Sequence, residues 1–113
     1  MQLLVVILNR VDVLPKIISA FFSQKIGGTT VLDCKGALKM LGEQGIEPPP
    51  MFGSLRHLMS GHHDEGKLLL SVLPDEKVAL AKQTINELVG GIEHADTGIM
   101  FTISLSSVEG LAK

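Results

Sequence analysis

The 113-residue chain has no tryptophan and no tyrosine, and its only aromatics are four phenylalanines set in apolar runs. Stacking platforms for nucleic-acid bases are therefore missing. No cluster of lysine or arginine occurs either, and the net charge is −2 with a pI near 6.0. The electrostatic footprint of a nucleic-acid binder is absent. A single cysteine, Cys34, excludes an internal disulfide and suits a reducing, cytoplasmic location. On a strand it reads as a small buried hydrophobe. The N-terminal run has no leading positive charge, and Asn9-Arg10 closes it before it is long enough to span a bilayer. It reads as a strand, with no membrane insertion expected. The sequence also lacks G-x-G-x-x-G and P-loop motifs.

What is present is apolar. Hydrophobic residues make up 45% of the chain and charged residues only 19%. For one domain of this size, covering residues 1–113, such a balance predicts apolar surface shared between subunits.

Leu3 to Leu8 is a continuous aliphatic run, the pattern of a central strand covered on both faces. Asp12 is placed to cap a helix with Pro15 in its first turn. Leu14, Ile17, Ile18, Phe21 and Phe22 then follow helical spacing; the helix ends near Lys25, and Gly27-Gly28 breaks it. Thr29 to Cys34 reads as a second strand. Lys67 to Leu73 is a third. Pro74-Asp75-Glu76 opens a second helix, with Val78, Ala81, Ile85, Leu88 and Val89 as its buried stripe. Ile99 to Leu105 is a fourth strand, and Leu111 can anchor the tail.

Residues 37–66 break this rhythm. Gly42, Gly45, Pro48-Pro49-Pro50, Gly53, Gly61 and Gly66 punctuate them, and Phe52, Leu55, Leu58 and Met59 suggest a short amphipathic helix. Connections inside compact domains usually take two to six residues, so a segment this long points to function. The expected fold is α+β: a ferredoxin-like βαββαβ order, with a four-stranded antiparallel sheet and two helices on one face. The other face is apolar too, and self-association is the simplest way to cover it.

Two features invite chemistry. His57, His62 and His63 lie together in the long segment beside Asp64 and Glu65, a donor set for Zn²⁺ or Cu²⁺. Adjacent histidines reach one ion poorly, and an exposed polar loop tip is the plainer reading. His94 sits apart and reads as exposed. Second, Lys35-Gly36 leaves strand two and Asp96-Thr97-Gly98 enters strand four. Their backbone amides can form an anion-holding nest if the strand ends meet at a subunit junction; ordinary turn chemistry is the alternative.

Gly28-Thr29-Thr30-Val31-Leu32-Asp33-Cys34-Lys35-Gly36 resembles the G-x-T-V-x-x-x-x-G stretch of the nitrogen-regulatory PII (GlnB-like) signalling proteins. Thr97-Gly98-Ile99-Met100-Phe101 is similar to that family's G-x-I-F stretch. Met51-Phe52-Gly53-Ser54-Leu55-Arg56 and Val108-Glu109-Gly110-Leu111 look like a divergent branch of it. The resemblance spans almost the whole chain. It implies a homotrimer, effector clefts between subunits, and a long loop (the T-loop) that engages a target transporter, enzyme or regulator. It also implies a non-enzymatic role in nitrogen-type signal transduction.

Thr30, Gly36, Lys39 and Gly98 then become the expected ligand-lining residues, and Phe52, Leu55, Arg56 and Leu58 the expected partner or intersubunit contacts. Family members follow the strand-two glycine with a second glycine and Arg-Gln; here Ala37, Leu38, Lys39 and Met40 stand there. Ile99 replaces a lysine after the strand-four glycine, and the C-terminal arginines are replaced around Gly110 and Ala112. Each charge-assisted bond is worth roughly 1–3 kcal/mol, so an adenine nucleotide would lose most of its usual phosphate hold. A uridylylated tyrosine is impossible in a chain without tyrosine. The alternatives are a divalent-metal-binding trimer like the cation tolerance proteins, carried by His57, His62 and His63, and a small acyl-phosphatase-like enzyme. The second of these lacks paired catalytic charges on a phosphate loop.

Overall fold

The computed structural model describes residues 1–37, 40, 41, 45, 66–94 and 97–111. Among them, four strands and two α-helices form an α+β unit: β1 Gln2–Leu8, α1 Leu14–Ser23, β2 Thr29–Cys34, β3 Gly66–Leu73, α2 Asp75–Val89 and β4 Gly98–Ser104. All strand pairs are antiparallel, and the sheet order is β2-β3-β1-β4. No helix among the described residues is long and apolar enough to cross a membrane.

The sheet has two unlike faces because side chains alternate along a strand. Leu4, Val6 and Leu8 of β1 and Leu69 and Leu73 of β3 point into one core cluster. Ile17 and Phe21 of α1 and Val78, Ala81, Ile85 and Val89 of α2 complete it. Both helices therefore cover the same face. Ser71 is fully buried on that face, and its hydroxyl pairs with that of Thr29 at 2.6 Å. This bond ties β2 to β3 on the row where the two residues face each other.

The start of α1 differs from the expected cap. Val11–Val13 forms a 3-10 turn, and Val13 precedes the α-helix without any side-chain cap bond. Asp12 is instead drawn to Arg10, whose Nη2 donates to its carboxylate at 3.0 Å. That bond holds the Asp12 carboxyl below its ordinary value of 3.8. The same guanidinium donates through Nη1 to the Val89 carbonyl, so a cation sits at the C-terminus of α2. One face of α1 was expected to be apolar and buried. Ile17 and Phe21 are buried, but Ile18 is half-exposed and Phe22 is 86% exposed.

Both helices close in the same way. The Ile26 amide donates to Phe21 O at 2.8 Å and the Lys25 amide to Phe22 O at 3.2 Å. The Gly91 amide donates to Asn86 O and the Gly90 amide to Glu87 O. These are paired six-to-one and five-to-two closures, which need a left-handed residue just past the helix. In α2 that residue is Gly90, at φ 77. In α1 it is Lys25, at φ 60: the helix ends near Lys25 as expected, and the turn is made before the Gly27-Gly28 pair. Ile26 and Phe21 are both buried and supply the hydrophobic contact of this motif. Lys77 Nζ satisfies the adjacent Gln24 carbonyl at 3.0 Å.

A left-handed backbone costs a residue with a Cβ on the order of 1 kcal/mol relative to glycine. Lys25→Gly should therefore raise unfolding stability by about 0.5–1 kcal/mol in a urea titration. No gain would show that the Lys25 side chain holds something of equal worth.

Candidate functional site

The second sheet face is the most distinctive surface among the described residues. It carries Leu3, Val5 and Ile7 from β1, Leu68, Leu70 and Val72 from β3, Ile99, Phe101 and Ile103 from β4, and Thr30, Leu32 and Cys34 from β2. These residues are opposite one another in register: Ile7 faces Leu68 and Ile99, and Val5 faces Leu70 and Phe101. Leu68 faces Leu32 in turn, and Leu70 faces Thr30. None of the twelve is charged. Exposure is greatest at the two edges: Leu32 is 45% exposed on β2, and Ile99, Phe101 and Ile103 are 55%, 41% and 48% exposed on β4. Val5, in the centre, is 7% exposed.

The tail lies along one end of this face. The Leu105 amide extends the β1–β4 ladder to Met1 O at 3.1 Å. From there the chain crosses to the opposite edge. A Cβ on Gly28 would lie 3.3 Å from Leu111 Cδ1 and 3.8 Å from Val72 Cβ. Leu111 is thus the anchor its sequence position suggested. Gly28 serves both this approach and its own φ of 65.

The expected ligand-lining residues fall into two groups. Thr30 is exposed on the apolar face of β2, and Gly36 is exposed two residues beyond that strand. The Met40 amide donates to the Gly36 carbonyl at 3.0 Å, the spacing of one helical turn. Gly98 begins β4 at the same end of the sheet but on the opposite edge. Two strands lie between, so the edges are about 14 Å apart by ordinary strand spacing. One chain alone does not bring Gly36 and Gly98 together. Lys39 lies outside the described residues. So do Phe52, Leu55, Arg56 and Leu58, and likewise His57, His62 and His63.

Gly98 has a structural duty that sequence reasoning missed. Its φ is 149, and a Cβ there would overlap the carbonyl oxygen of Ile7 on the neighbouring strand. The signal was hidden because it depends on which strand pairs with β4. Gly36 has open space around it. Cys34 is a free thiol and half-buried rather than buried, since it sits at the end of an edge strand.

Charges near this end are engaged. Lys67 Nζ is bonded to Asp33 across the β2–β3 pair. His94 is exposed, as expected, and lies over Gly91 in the loop after α2. At the far end of the sheet Asp75 is held below 3.8 by the N-terminal ammonium and by Gln2. No group of three or more metal-ligating side chains occurs among the described residues.

In comparisons with known proteins, no family model matches the chain and no curated protein matches it.

Placing a methyl group at Gly98 separates its structural role from a ligand role. Gly98→Ala should cost about 1–3 kcal/mol of unfolding stability without any ligand present. Gly36→Ala should stay within about 0.5 kcal/mol. Equal stability of the two variants by chemical denaturation would contradict the packing account.

Proposed function

We propose that the chain is a non-enzymatic regulator of the PII-like type, acting as a cytoplasmic homotrimer. The observation that carries this reading is the strand plan. β2 ends at Cys34 and β3 begins at Gly66, in a sheet ordered β2-β3-β1-β4 with both helices on one face. That order supports a ferredoxin-like fold with an over-long connection at the place where PII proteins carry the T-loop. The uncharged second face supports assembly, since monomers rarely leave so continuous an apolar patch in water.

In this reading a small effector binds where Thr30 and Gly36 of one subunit approach Gly98 of another. Lys39 adds a positive charge there. Binding favours one arrangement of the long segment through differential affinity for two states. The segment, through Phe52, Leu55, Arg56 and Leu58, engages a target transporter, enzyme or regulator. The effector makes fewer charged contacts than ATP makes in standard family members, because Ile99 and the surroundings of Gly110 supply no phosphate partner.

Thermal melts of the purified protein with ATP, ADP, AMP, cyclic dinucleotides, 2-oxoglutarate, bicarbonate and divalent metals test this directly. A ligand at a hundred times its Kd adds about 2.7 kcal/mol, which is roughly 10 °C in Tm for a chain of this size. One of the organic or anionic compounds should produce such a shift, and Gly36→Ala or Lys39→Ala should reduce it. A shift with zinc or copper alone, lost in a His57/His62/His63 triple variant, would favour the cation-tolerance reading instead. No shift with any compound would contradict an effector-binding role.

A further inference from the structure

α1 has a second apolar side that the core does not use. Ile17 and Phe21 are buried in the core, and Gln24 turns toward α2, where its Nε2 donates to Thr84 Oγ1 at 2.9 Å. A helix advances about 100° per residue, so Phe22 points about 160° away from Gln24 and about 100° from Phe21. Ile18 lies one turn earlier on the same side. Phe22 is 86% exposed, far more than any other large hydrophobic residue among those described; the next is Ile99 at 55%. Ile18 and, in the preceding 3-10 turn, Val11 are each 38% exposed, and Pro15 is exposed between them. An apolar strip thus meets water on the flank of α1 that looks away from both the core and α2.

Charge around the strip is of one sign. From Val13 to Leu32 the chain holds Lys16 and Lys25 and no acid, although its net charge is −2. The acid before this stretch, Asp12, is engaged by Arg10, and the acid after it, Asp33, by Lys67. Lys25 stands just beyond Phe22 on the same flank, and its amide donates to Phe22 O. Among the described residues its ammonium makes no hydrogen bond or ion pair. It also holds φ 60, which glycine adopts more cheaply. The closure of α1 fixes where the left-handed residue falls, but it does not call for a lysine there. Strain kept at an exposed, unpaired charge points to a use for that charge.

These features choose among occupants. A partner helix docks into a groove, whereas a ring as exposed as Phe22 projects. A stable protein interface takes about 800 Å² from each partner. One flank of the ten-residue α1, roughly 15 Å long and 10 Å wide, offers roughly 150 Å² in plan. A lipid surface needs neither a groove nor a large area: it closes around a projecting ring, and anionic headgroups match the lysine. We propose that this flank of α1 rests on an anionic lipid surface. Phe22 and Ile18 enter the boundary between headgroups and acyl chains, and Lys25 stays among the headgroups. The contact is interfacial and involves no span. It is independent of the effector reading and uses the helix layer, leaving the open sheet face untouched.

The chain has no tryptophan, so Phe22→Trp places a single emission at the site. Vesicles of phosphatidylcholine with about 30% phosphatidylserine should shift that emission to the blue, and pure phosphatidylcholine vesicles much less. Salt at about 0.5 M should remove the difference. In co-sedimentation with the anionic vesicles, Phe22→Ser should lower binding at least about tenfold. Lys25→Gly should lower it about fivefold. Both variants should keep the wild-type circular dichroism, since both side chains face water. Lys25→Gly should also melt no lower than wild type, so its weaker binding cannot come from a damaged fold. An emission that no vesicle shifts overturns the proposal and leaves the flank to a protein partner. A blue shift that grows with protein concentration in the absence of lipid overturns it in favour of a second copy. Equal shifts with both vesicles, or wild-type sedimentation of Phe22→Ser, overturn it as well.

Discussion

A four-stranded sheet that is apolar on both faces, with helices over only one among the described residues, is the constraint on which the rest of the structure depends. β1 is central and its residues alternate between two environments. Leu4, Val6 and Leu8 enter the core, while Leu3, Val5 and Ile7 lie on the face without helices. β3 repeats the division with Leu69 and Leu73 against Leu68, Leu70 and Val72. Fully burying one such side chain contributes roughly 1.5–3 kcal/mol. The helix layer captures that contribution for the first set. The second set gains it fully only when a further surface arrives. The tail contributes at one end, through Leu111 over Gly28 and Val72.

Where the sequence was a sufficient guide, the determining physics was local or periodic. The continuous aliphatic runs of β1 and β3 announced the two inner strands of the sheet. The stripe Val78, Ala81, Ile85, Val89 announced the face of α2 that is buried. Where it fell short, the cause was a partner distant in sequence or a competing local bond. Asp12 has the chemistry of a cap, but Arg10 claims its carboxylate and the chain enters α1 through a 3-10 turn. Lys25 takes the left-handed position ahead of two available glycines, because Ile26 must reach the core beside Phe21. Gly98 looked like a ligand-approach glycine; the backbone of β1 demands it first. Phe22 fits the apolar helical pattern and yet faces solvent, since α1 buries only the residues that look toward the sheet. Thr30 and Gly36 were legible as lying near β2, but their separation from Gly98 within one chain depends on strand order.

The functional proposal follows from the same geometry. Backbone turns at Gly36 and Gly98 sit at one end of the sheet and on opposite edges. In the proposed reading, a site built from both lies between subunits, and its occupancy would be linked to assembly. The charge pattern narrows its ligand. Lys67 is engaged with Asp33, and Ile99, at the start of β4, carries no charge. The long β2–β3 connection leaves the sheet beside this end, from Cys34, and returns to it at Gly66. A ligand seated between subunits would thus lie at the root of the segment proposed to engage a target.

Sedimentation equilibrium of the wild-type chain tests the central claim most directly, because an uncovered apolar face and a stable monomer are incompatible in this account. At tens of micromolar protein, the predicted mass is three times the 12.1 kDa of the chain. A single species of 12.1 kDa across that range would contradict it.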